Sequence, residues 1–210
     1  MAAREKGAHV HTQTRCVGAR RSKGLWELNL ERADGSLFSI RAKALVIAAG
    51  PWVARFIKDD LKLDSPYGIR LIQGSHLIVP KLYDAPNAFI LQNEDQRIIF
   101  TLPYMDQFTI IGTTDREYTG DPAKVSITEE ETDYLLNVVN AHFKQQVSRA
   151  DILRTYSGVR PLCNDESDNP SAVTRDYTLA LSGVPGEAPL LSVFGGKLTT
   201  YRKLAESAMA

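Results

Sequence analysis

Residues 189–209, PLLSVFGGKLTTYRKLAESAM, place a strand, a glycine turn, a lysine and a helix start directly after one another. The apolar run at 190–194 has the length of a buried strand, and Gly195-Gly196 ends it sharply. A helix from about Leu198 would point its positive dipole end and its unpaired N–H groups at this turn. Because Lys197 adds a positive charge, the segment predicts a site for an anionic ligand. A plain glycine-containing connection stays open as the alternative.

The bulk composition indicates a folded chain with a sizeable core and no polyanionic partner. The 210 residues are 43% hydrophobic, which is enough for one large domain or two small ones. Lys plus Arg and Asp plus Glu both number 25, so the formal net charge is zero. This balance argues against broad electrostatic binding to nucleic acid. Any anion must therefore be bound locally.

The cysteines and histidines show no spacing typical of a metal site. Cys16 and Cys163 stand far apart, and the four histidines form no ligand pattern with them, so we expect no metal. The first 15 residues lack the apolar segment of a signal peptide, and no run approaches the roughly 18 apolar residues of a membrane span. We therefore expect a cytoplasmic setting, with peripheral membrane contact left open.

Residues 1–64 show the pattern of a layered α/β domain. Residues 12–21 and 24–30 predict two strands, and the Asp34-Gly35 turn leads to a third at 37–40. The letters ALVIAA within 43–53 predict a parallel strand buried on both faces, which Gly50-Pro51 ends. A helical stretch that contains an arginine is expected to follow.

From residue 65 the pattern changes to the alternation of an antiparallel sheet. Thr128 and Glu131 predict a capping box that opens a helix as far as about Phe143. An acidic loop is expected at 164–170. The predicted strands lie at 68–72, 75–80, 89–92, 97–102, 107–113, 152–162 and 174–181.

Five motifs resemble, in the same order, those of one enzyme family. They are QGSHLIVP around His76, IGTTDREY around Thr113, YSGVRPLCNDESD around Arg160, TRDYTL around Arg175 and FGGKLTTYR around Lys197. Together with the strands before them, they resemble the aerobic, respiratory FAD-dependent glycerol-3-phosphate dehydrogenases. The resemblance implies a mixed α+β and α/β fold class. Its parts are the second half of a glutathione-reductase-like FAD-binding domain and an antiparallel-sheet substrate domain.

The resemblance also implies a division of the chain. The expected parts are a partial FAD-binding domain at 1–64, a substrate-binding sheet domain with one helix at 65–185, and a returning FAD-domain strand and helix at 186–210. The GxGxxG loop that binds the FAD pyrophosphate in such folds does not occur in these 210 residues. We therefore expect an internal fragment, without the N-terminal loop and the C-terminal helical domain, that is inactive alone and binds FAD weakly.

Oxidation of a secondary alcohol on a phosphate ester needs a cationic cradle, a base and a hydride acceptor. Arg160, Arg175 and Lys197 can form the cradle, since guanidinium groups bind phosphate through paired hydrogen bonds. Thr113 can contact the phosphate. His76 can be the base, because its ordinary pKa of about 6.5 lies near working pH. A core histidine, a structural arginine, an Arg175 salt bridge and a turn cap by Thr113 stay open as alternatives.

The resemblance implies His76 and Arg160 as catalytic residues, and Thr113, Arg160, Arg175 and Lys197 as substrate-binding residues. It implies FAD contacts at Cys16, Val17, Ala49, Gly50, Gly195, Gly196, Leu198 and Thr199.

The implied activity is oxidation of sn-glycerol 3-phosphate to dihydroxyacetone phosphate by hydride transfer to FAD. The resemblance further implies that electrons pass to quinone and that the enzyme lies at the periphery of the inner membrane. A homodimer is left open. The alternatives are a glycerophosphate oxidase that uses oxygen, an amino-acid oxidase of similar fold and a catalytically silent module. The additional cations Arg175 and Lys197 favour phosphate over a carboxylate.

Overall fold

The computed structural model describes residues 2–163 and 176–210, which fall into two units. The first unit joins Met1–Gly68 to Asp176–Ala210, and the second is Ile69–Arg175, described as far as Cys163. The boundaries expected from the sequence, 1–64, 65–185 and 186–210, stay a prediction. No helix in the described part of the chain is long and apolar enough to cross a lipid bilayer.

The strands are β1 (Thr14–Ser22), β2 (Leu25–Arg32), β3 (Leu37–Ala42), β4 (Leu45–Ile47), β5 (Ile69–Pro80), β6 (Phe89–Gln92), β7 (Ile98–Tyr104), β8 (Phe108–Gly112), β9 (Arg116–Tyr118), β10 (Arg154–Cys163), β11 (Tyr177–Ser182) and β12 (Leu190–Gly195). The α-helices are α1 (Ala2–Glu5), α2 (Val53–Arg55), α3 (Glu129–His142) and α4 (Tyr201–Met209). A 3₁₀ turn, Gly50–Trp52, precedes α2, a π turn, Phe56–Asp60, extends it, and a 3₁₀ turn, Leu198–Thr200, precedes α4.

The first unit contains two three-stranded sheets. Strands β1, β2 and β3 form an antiparallel meander, as the hairpin signals predict. In the other sheet β12 lies between β11, to which it is antiparallel, and β4, to which it is parallel. Trp26 is buried on β2, and its indole N–H donates to the Pro189 carbonyl at 2.9 Å. This bond connects the meander to the start of β12.

Two strand predictions need correction. The strand predicted within 43–53 is parallel to β12, but it is short, and Val46 is 56% exposed, so burial on both faces was wrong. The separate strands predicted at 68–72 and 75–80 are one continuous strand, β5. Gly74 does not break it, because a glycine inside a strand can instead make room for side chains that cross it closely. Thr113 and Arg160 cross β5 at this position.

The second unit is an antiparallel sheet in the order β10-β5-β8-β7-β6, and β9 pairs with β5 beside it. Helix α3 packs on one face, where apolar side chains of the strands and the helix form the core. The fully buried members of this core are Leu77, Val79, Ile99, Ile111, Leu135 and Val139. Since side chains alternate along a strand, the neighbours of these residues lie on the other face.

The predicted capping box at the start of α3 is confirmed. The Thr128 hydroxyl accepts a hydrogen bond from the Glu131 N–H at 3.2 Å, and the Glu131 carboxylate accepts one from the Thr128 N–H at 2.9 Å. Both N–H groups are therefore satisfied at a helix end that the sheet partly buries.

Candidate functional site

His76 lies on the face of the second unit's sheet that points away from α3. It follows Ser75 and precedes Leu77, both of which face the helix. The register places Tyr156 of β10 directly opposite, and the two rings stack with centroids 4.5 Å apart and an interplanar angle of 4°. The stack holds the imidazole ring parallel to the Tyr156 ring, at a half-buried position.

Two glycines make this arrangement sterically possible. A Cβ atom at Gly112, which pairs with His76 in β8, would collide with the imidazole ring. A Cβ atom at Gly74 would lie 2.6 Å from the Thr113 hydroxyl oxygen and 2.8 Å from Nη2 of Arg160. Both separations are shorter than van der Waals contact allows, so the side chains lie over bare backbone at both positions.

Arg160 extends from β10 across Gly74 towards the loop between β8 and β9. Its Nη2 donates to the Thr113 hydroxyl at 3.1 Å, and its Nη1 forms an ion pair with Asp115. The Arg160 side chain is 32% exposed and that of Asp115 is 29% exposed. The guanidinium is therefore held in one orientation while part of it stays accessible to a ligand.

Gly74 and His76 are two positions apart on one face of β5, which is about 7 Å along a strand. Burial, and to a smaller degree the Arg160 guanidinium, lower the pKa of His76. Its Nδ1 is buried and has no hydrogen-bond partner in the described part of the chain. Buried polar atoms without partners are rare in proteins, so His76 is not a satisfied core histidine.

Two residues of this site were not predicted as site residues from the sequence. Tyr156 opens the quoted motif YSGVRPLCNDESD, but only the strand register pairs it with His76. Burial, followed by nearby Tyr104, raises the pKa of the Tyr156 hydroxyl. Asp115 belongs to the quoted motif IGTTDREY, but its pairing with Arg160 has no local signal.

The first unit brings two glycine turns to the same sheet edge. Strands β4 and β12 are parallel neighbours, so the residues after Ile47 and Phe194 leave from their carboxyl ends. Gly50, Gly195 and Gly196 all have positive φ angles, of 54°, 74° and 96°. These conformations favour glycine and leave the backbone free of side-chain bulk.

The segment after the second turn differs from the sequence prediction in its helix start. The α-helix begins at Tyr201, after the 3₁₀ turn Leu198–Thr200. Thr200 does not cap the α-helix with its side chain; its hydroxyl accepts a hydrogen bond from the Lys197 N–H at 3.3 Å. Leu198 is 89% exposed, and Lys197 and Thr199 are exposed beside it.

Two further predicted cofactor residues lie on β1. The register between β1 and β2 shifts between Cys16 and Gly18, so Val17 is the extra residue of a β-bulge. Bulges commonly redirect side chains at functional sites. The Cys16 thiol donates to the Gly18 carbonyl at 3.6 Å, and burial raises its pKa. Both residues are half-buried.

The first unit's residues fit one end of a flavin. A Cβ atom at Gly50 would meet no atom within 4 Å, so the backbone after β4 borders open space. The exposed residues Lys197, Leu198 and Thr199 provide a second stretch of accessible backbone at the same sheet edge, after Gly196, which is half-buried against Leu204. A planar ring that carries carbonyl groups and ring nitrogens can approach such backbone closely.

Arg175 lies outside the described residues, so its predicted substrate contact stays a prediction. Within residues 2–163 and 176–210, no three His, Cys, Asp or Glu side chains come together where they could hold a metal ion.

Comparison with known proteins identifies the family to which this chain belongs. A family model for FAD dependent oxidoreductases matches residues 1–202. A Pseudomonas tolaasii glycerol-3-phosphate dehydrogenase is 83% identical over 100% of this chain and 41% of its own length. A Brucella abortus D-erythritol 1-phosphate dehydrogenase is 47% identical over 99% of this chain and 41% of its own length. The structure of a Bacillus halodurans glycerol-3-phosphate dehydrogenase complexed with FAD matches 99% of this chain and 39% of its own, with a TM-score of 0.83 and 29% identity.

The chain belongs to the FAD dependent oxidoreductase family. FAD as the family's cofactor, and the mixed fold of an FAD-binding part with an antiparallel sheet, are thereby confirmed. Within that family, the resemblance of the five motifs to glycerol-3-phosphate dehydrogenases is confirmed as well. The chain spans 41% of the length of these curated relatives.

Proposed function

We propose that this chain supplies the substrate-binding residues, and part of the flavin site, of an enzyme that oxidises sn-glycerol 3-phosphate to dihydroxyacetone phosphate. Bound FAD supplies the hydride acceptor. The observation that carries the proposal is the placement of Arg160, Thr113 and His76 on one sheet face. The similarity to dehydrogenases named for glycerol 3-phosphate and D-erythritol 1-phosphate supports a polyol phosphate as substrate.

Each of these side chains has a chemical role that suits this reaction. The Arg160 guanidinium and the Thr113 hydroxyl bind a negatively charged oxygen atom of the substrate, and Arg175 and Lys197 supply further positive charge. His76 removes the proton of the substrate hydroxyl as the carbon beside it gives up its hydride. The lowered pKa of His76 keeps the imidazole neutral, and therefore able to accept a proton, at neutral pH.

The flavin contacts are assigned to the two glycine turns and to the bulge in β1. Ala49 and Gly50 follow β4, while Gly195 and Gly196 end β12 at the same sheet edge. Leu198 and Thr199 would bind from the turn that precedes α4, and Cys16 and Val17 from the bulge.

We further propose quinone as the electron acceptor, with the protein peripheral to the inner membrane. These proposals rest on the motif resemblance. A glycerophosphate oxidase would differ in passing its electrons to oxygen. The two are separated by measuring glycerol 3-phosphate oxidation in the full-length, FAD-loaded protein with a short-chain quinone or with oxygen alone.

The decisive experiment compares substrates under the same conditions. We expect quinone reduction with glycerol 3-phosphate, less with D-erythritol 1-phosphate, and none with glycerol or glycine. Turnover with glycine would favour the amino-acid oxidase alternative. No turnover with any of these compounds in a protein that has bound FAD would overturn the proposal and favour a silent module.

Replacement of Arg160 by Ala tests the cationic contact. We expect kcat/KM for glycerol 3-phosphate to fall by an amount equal to about 2–4 kcal/mol, because a charge-assisted contact to the substrate is lost. Arg149→Ala is the control, since Arg149 also pairs with carboxylates, Glu129 and Asp133, but lies elsewhere on the unit. If Arg160→Ala lowers only thermal stability and leaves kinetics per folded molecule unchanged, the arginine is structural.

A further inference from the structure

A buried hydrogen-bond network lies beneath the candidate site, on the face of the sheet that carries α3. Its centre is the Glu131 carboxylate, which is 6% exposed. One oxygen accepts from Nε2 of Gln73 at 2.7 Å and from the Thr128 N–H at 2.9 Å. The other accepts from the Ser75 hydroxyl at 3.0 Å and from the Thr114 hydroxyl. All four partners are donors, so the carboxylate does more than complete a helix cap.

Thr114 joins this network to the site above it. Its side chain is almost completely buried, its Oγ1 accepts the Ser75 N–H at 2.9 Å, and its own proton goes to Glu131. Its two neighbours in the chain are the residues that contact the Arg160 guanidinium. In the loop between β8 and β9, the central residue Thr114 is therefore bound to the buried network. Its neighbours Thr113 and Asp115 bind Arg160.

The contacts of Arg160 hold the guanidinium only as firmly as the loop that carries Thr113 and Asp115 is itself held. Asp115 and Arg160 are both partly exposed, so water screens part of their attraction. The Thr114 anchor is buried, and breaking it would leave the Ser75 N–H without its acceptor and remove one of the two donors to a Glu131 oxygen, which is disfavoured. The position of the loop is therefore determined by the buried side of the sheet.

We propose that Thr114 and Glu131 are positioning residues, which hold the loop against Arg160 and so orient the guanidinium towards the substrate's oxygen anion. This inference deepens the proposed function and rests on it for the identity of the substrate. Neither residue reaches the face of the sheet on which His76 lies. They act through Thr113 and Asp115.

Thr114 and Glu131 would form the same hydrogen bonds if they contributed only to stability. The test therefore needs a control variant that affects stability alone. Thr109 is also a buried threonine of this sheet, and its hydroxyl accepts a backbone N–H, that of Leu82, at 3.1 Å. Thr109→Val and Thr114→Val both remove a buried hydroxyl that accepts a backbone N–H, and Thr114→Val also removes a donor to Glu131. Thr109 has no hydrogen bond to the loop that holds Arg160 among the described residues.

The experiment measures the three variants Thr114→Val, Thr114→Ser and Thr109→Val in the full-length, FAD-loaded protein. We expect both valine variants to lower the Tm, Thr114→Val by more, because it also removes a donor to the Glu131 carboxylate. Thr114→Val should lower kcat/KM for glycerol 3-phosphate about tenfold or more per folded molecule, because misplacement by a fraction of an ångström is costly at a reacting centre. Thr114→Ser, which keeps the hydroxyl, and Thr109→Val should stay within about twofold of the unchanged protein. Equal losses in the two valine variants would overturn the proposal.

A spectroscopic readout keeps the test independent of turnover. In the 210-residue chain labelled with ¹⁵N-arginine, Thr114→Val should shift the Nε–H signal of Arg160, assigned by its loss in Arg160→Lys. Thr109→Val and Thr114→Ser should leave that signal in place. If the unchanged protein does not oxidise glycerol 3-phosphate, the proposed function fails while this comparison still decides the positioning role. An Arg160 signal that does not respond to Thr114→Val refutes it.

Discussion

Lys197 is the exposed cation at the end of β12, directly after two glycines with positive φ. Its backbone N–H is occupied by the Thr200 hydroxyl, whereas its ammonium forms no ion pair with the described residues. The free charge can serve either the substrate phosphate or the reduced flavin. Because the glycines already offer accessible backbone to the flavin, we favour the phosphate.

Lys197→Met in the full-length, FAD-loaded protein separates these two roles. We expect the KM for glycerol 3-phosphate to rise at least about tenfold, with the flavin midpoint potential nearly unchanged, since the lost charge is replaced by an apolar chain of similar length. Lys203→Met, on the following helix, is the control for a change in net charge. A lower potential with an unaltered KM would instead assign Lys197 to the flavin.

Because its environment lowers its pKa, His76 makes the folded chain less stable as pH falls. Burial first, and then Arg160, lower its pKa in the folded chain, so the unfolded chain binds the proton more readily. The contribution of the neutral imidazole to stability is complete above the ordinary pKa of about 6.5 and is lost as pH falls through the lower folded pKa.

His76→Phe removes this dependence and can keep the stack on Tyr156. Between pH 7 and pH 5, we expect the Tm of the unchanged chain to fall more than that of the variant, because only the former takes up the proton on unfolding. His9→Phe, at an exposed histidine, should behave like the unchanged chain. Parallel Tm curves for all three proteins would contradict a lowered pKa at His76.

Among the elements, α3 combines a local start signal with a tertiary contact. The hydroxyl of Thr128 accepts the Glu131 N–H, and Nη1 of Arg116 also donates to it at 3.2 Å. We expect Thr128→Ala to lower the free energy of unfolding by about 1 kcal/mol, the usual value of a lost N-cap. Thr128→Ser, which keeps the oxygen, should recover most of it in urea unfolding. Equal losses for Ala and Ser would show that the methyl group, rather than the cap, is important.

The two units of the chain can be followed separately because both tryptophans, Trp26 and Trp52, belong to the first. Tryptophan fluorescence therefore reports the first unit, while the NMR signals of the α3 amides report the second. Leu135 is completely buried in the core of the second unit. Replacement of Leu135 by Ala should lower the free energy of unfolding of the second unit by about 2–5 kcal/mol and leave that of the first unit unchanged.

We expect Leu135→Ala to move the transition of the α3 amide signals to lower urea and to leave the fluorescence transition in place. Leu28→Ala, in the buried face of β2, is the reciprocal control and should move the fluorescence transition. If both variants shift both transitions equally, the chain unfolds as one cooperative unit.

Local signals in the sequence were sufficient for much of the fold. The β1–β3 meander, the strand at 89–92 and the capped helix α3 all occur where turn residues, alternation and the cap predicted them. These features depend on residues within a few positions of one another, so no tertiary information is needed. The five motifs likewise identified the family, since their residue types and order are properties of the sequence.

The amino-acid sequence by itself determined which side chains are available for the chemistry: His76, Thr113, Arg160 and Lys197 were all named from it. Only the tertiary structure decided what each of them contacts. It made β5 continuous through Gly74, stacked Tyr156 on His76, and anchored Thr114 to the carboxylate at the start of α3. The reason is that strand register sets these contacts: it joins His76 to Tyr156, 80 positions away, and a shift of one residue would move every side chain to the opposite face.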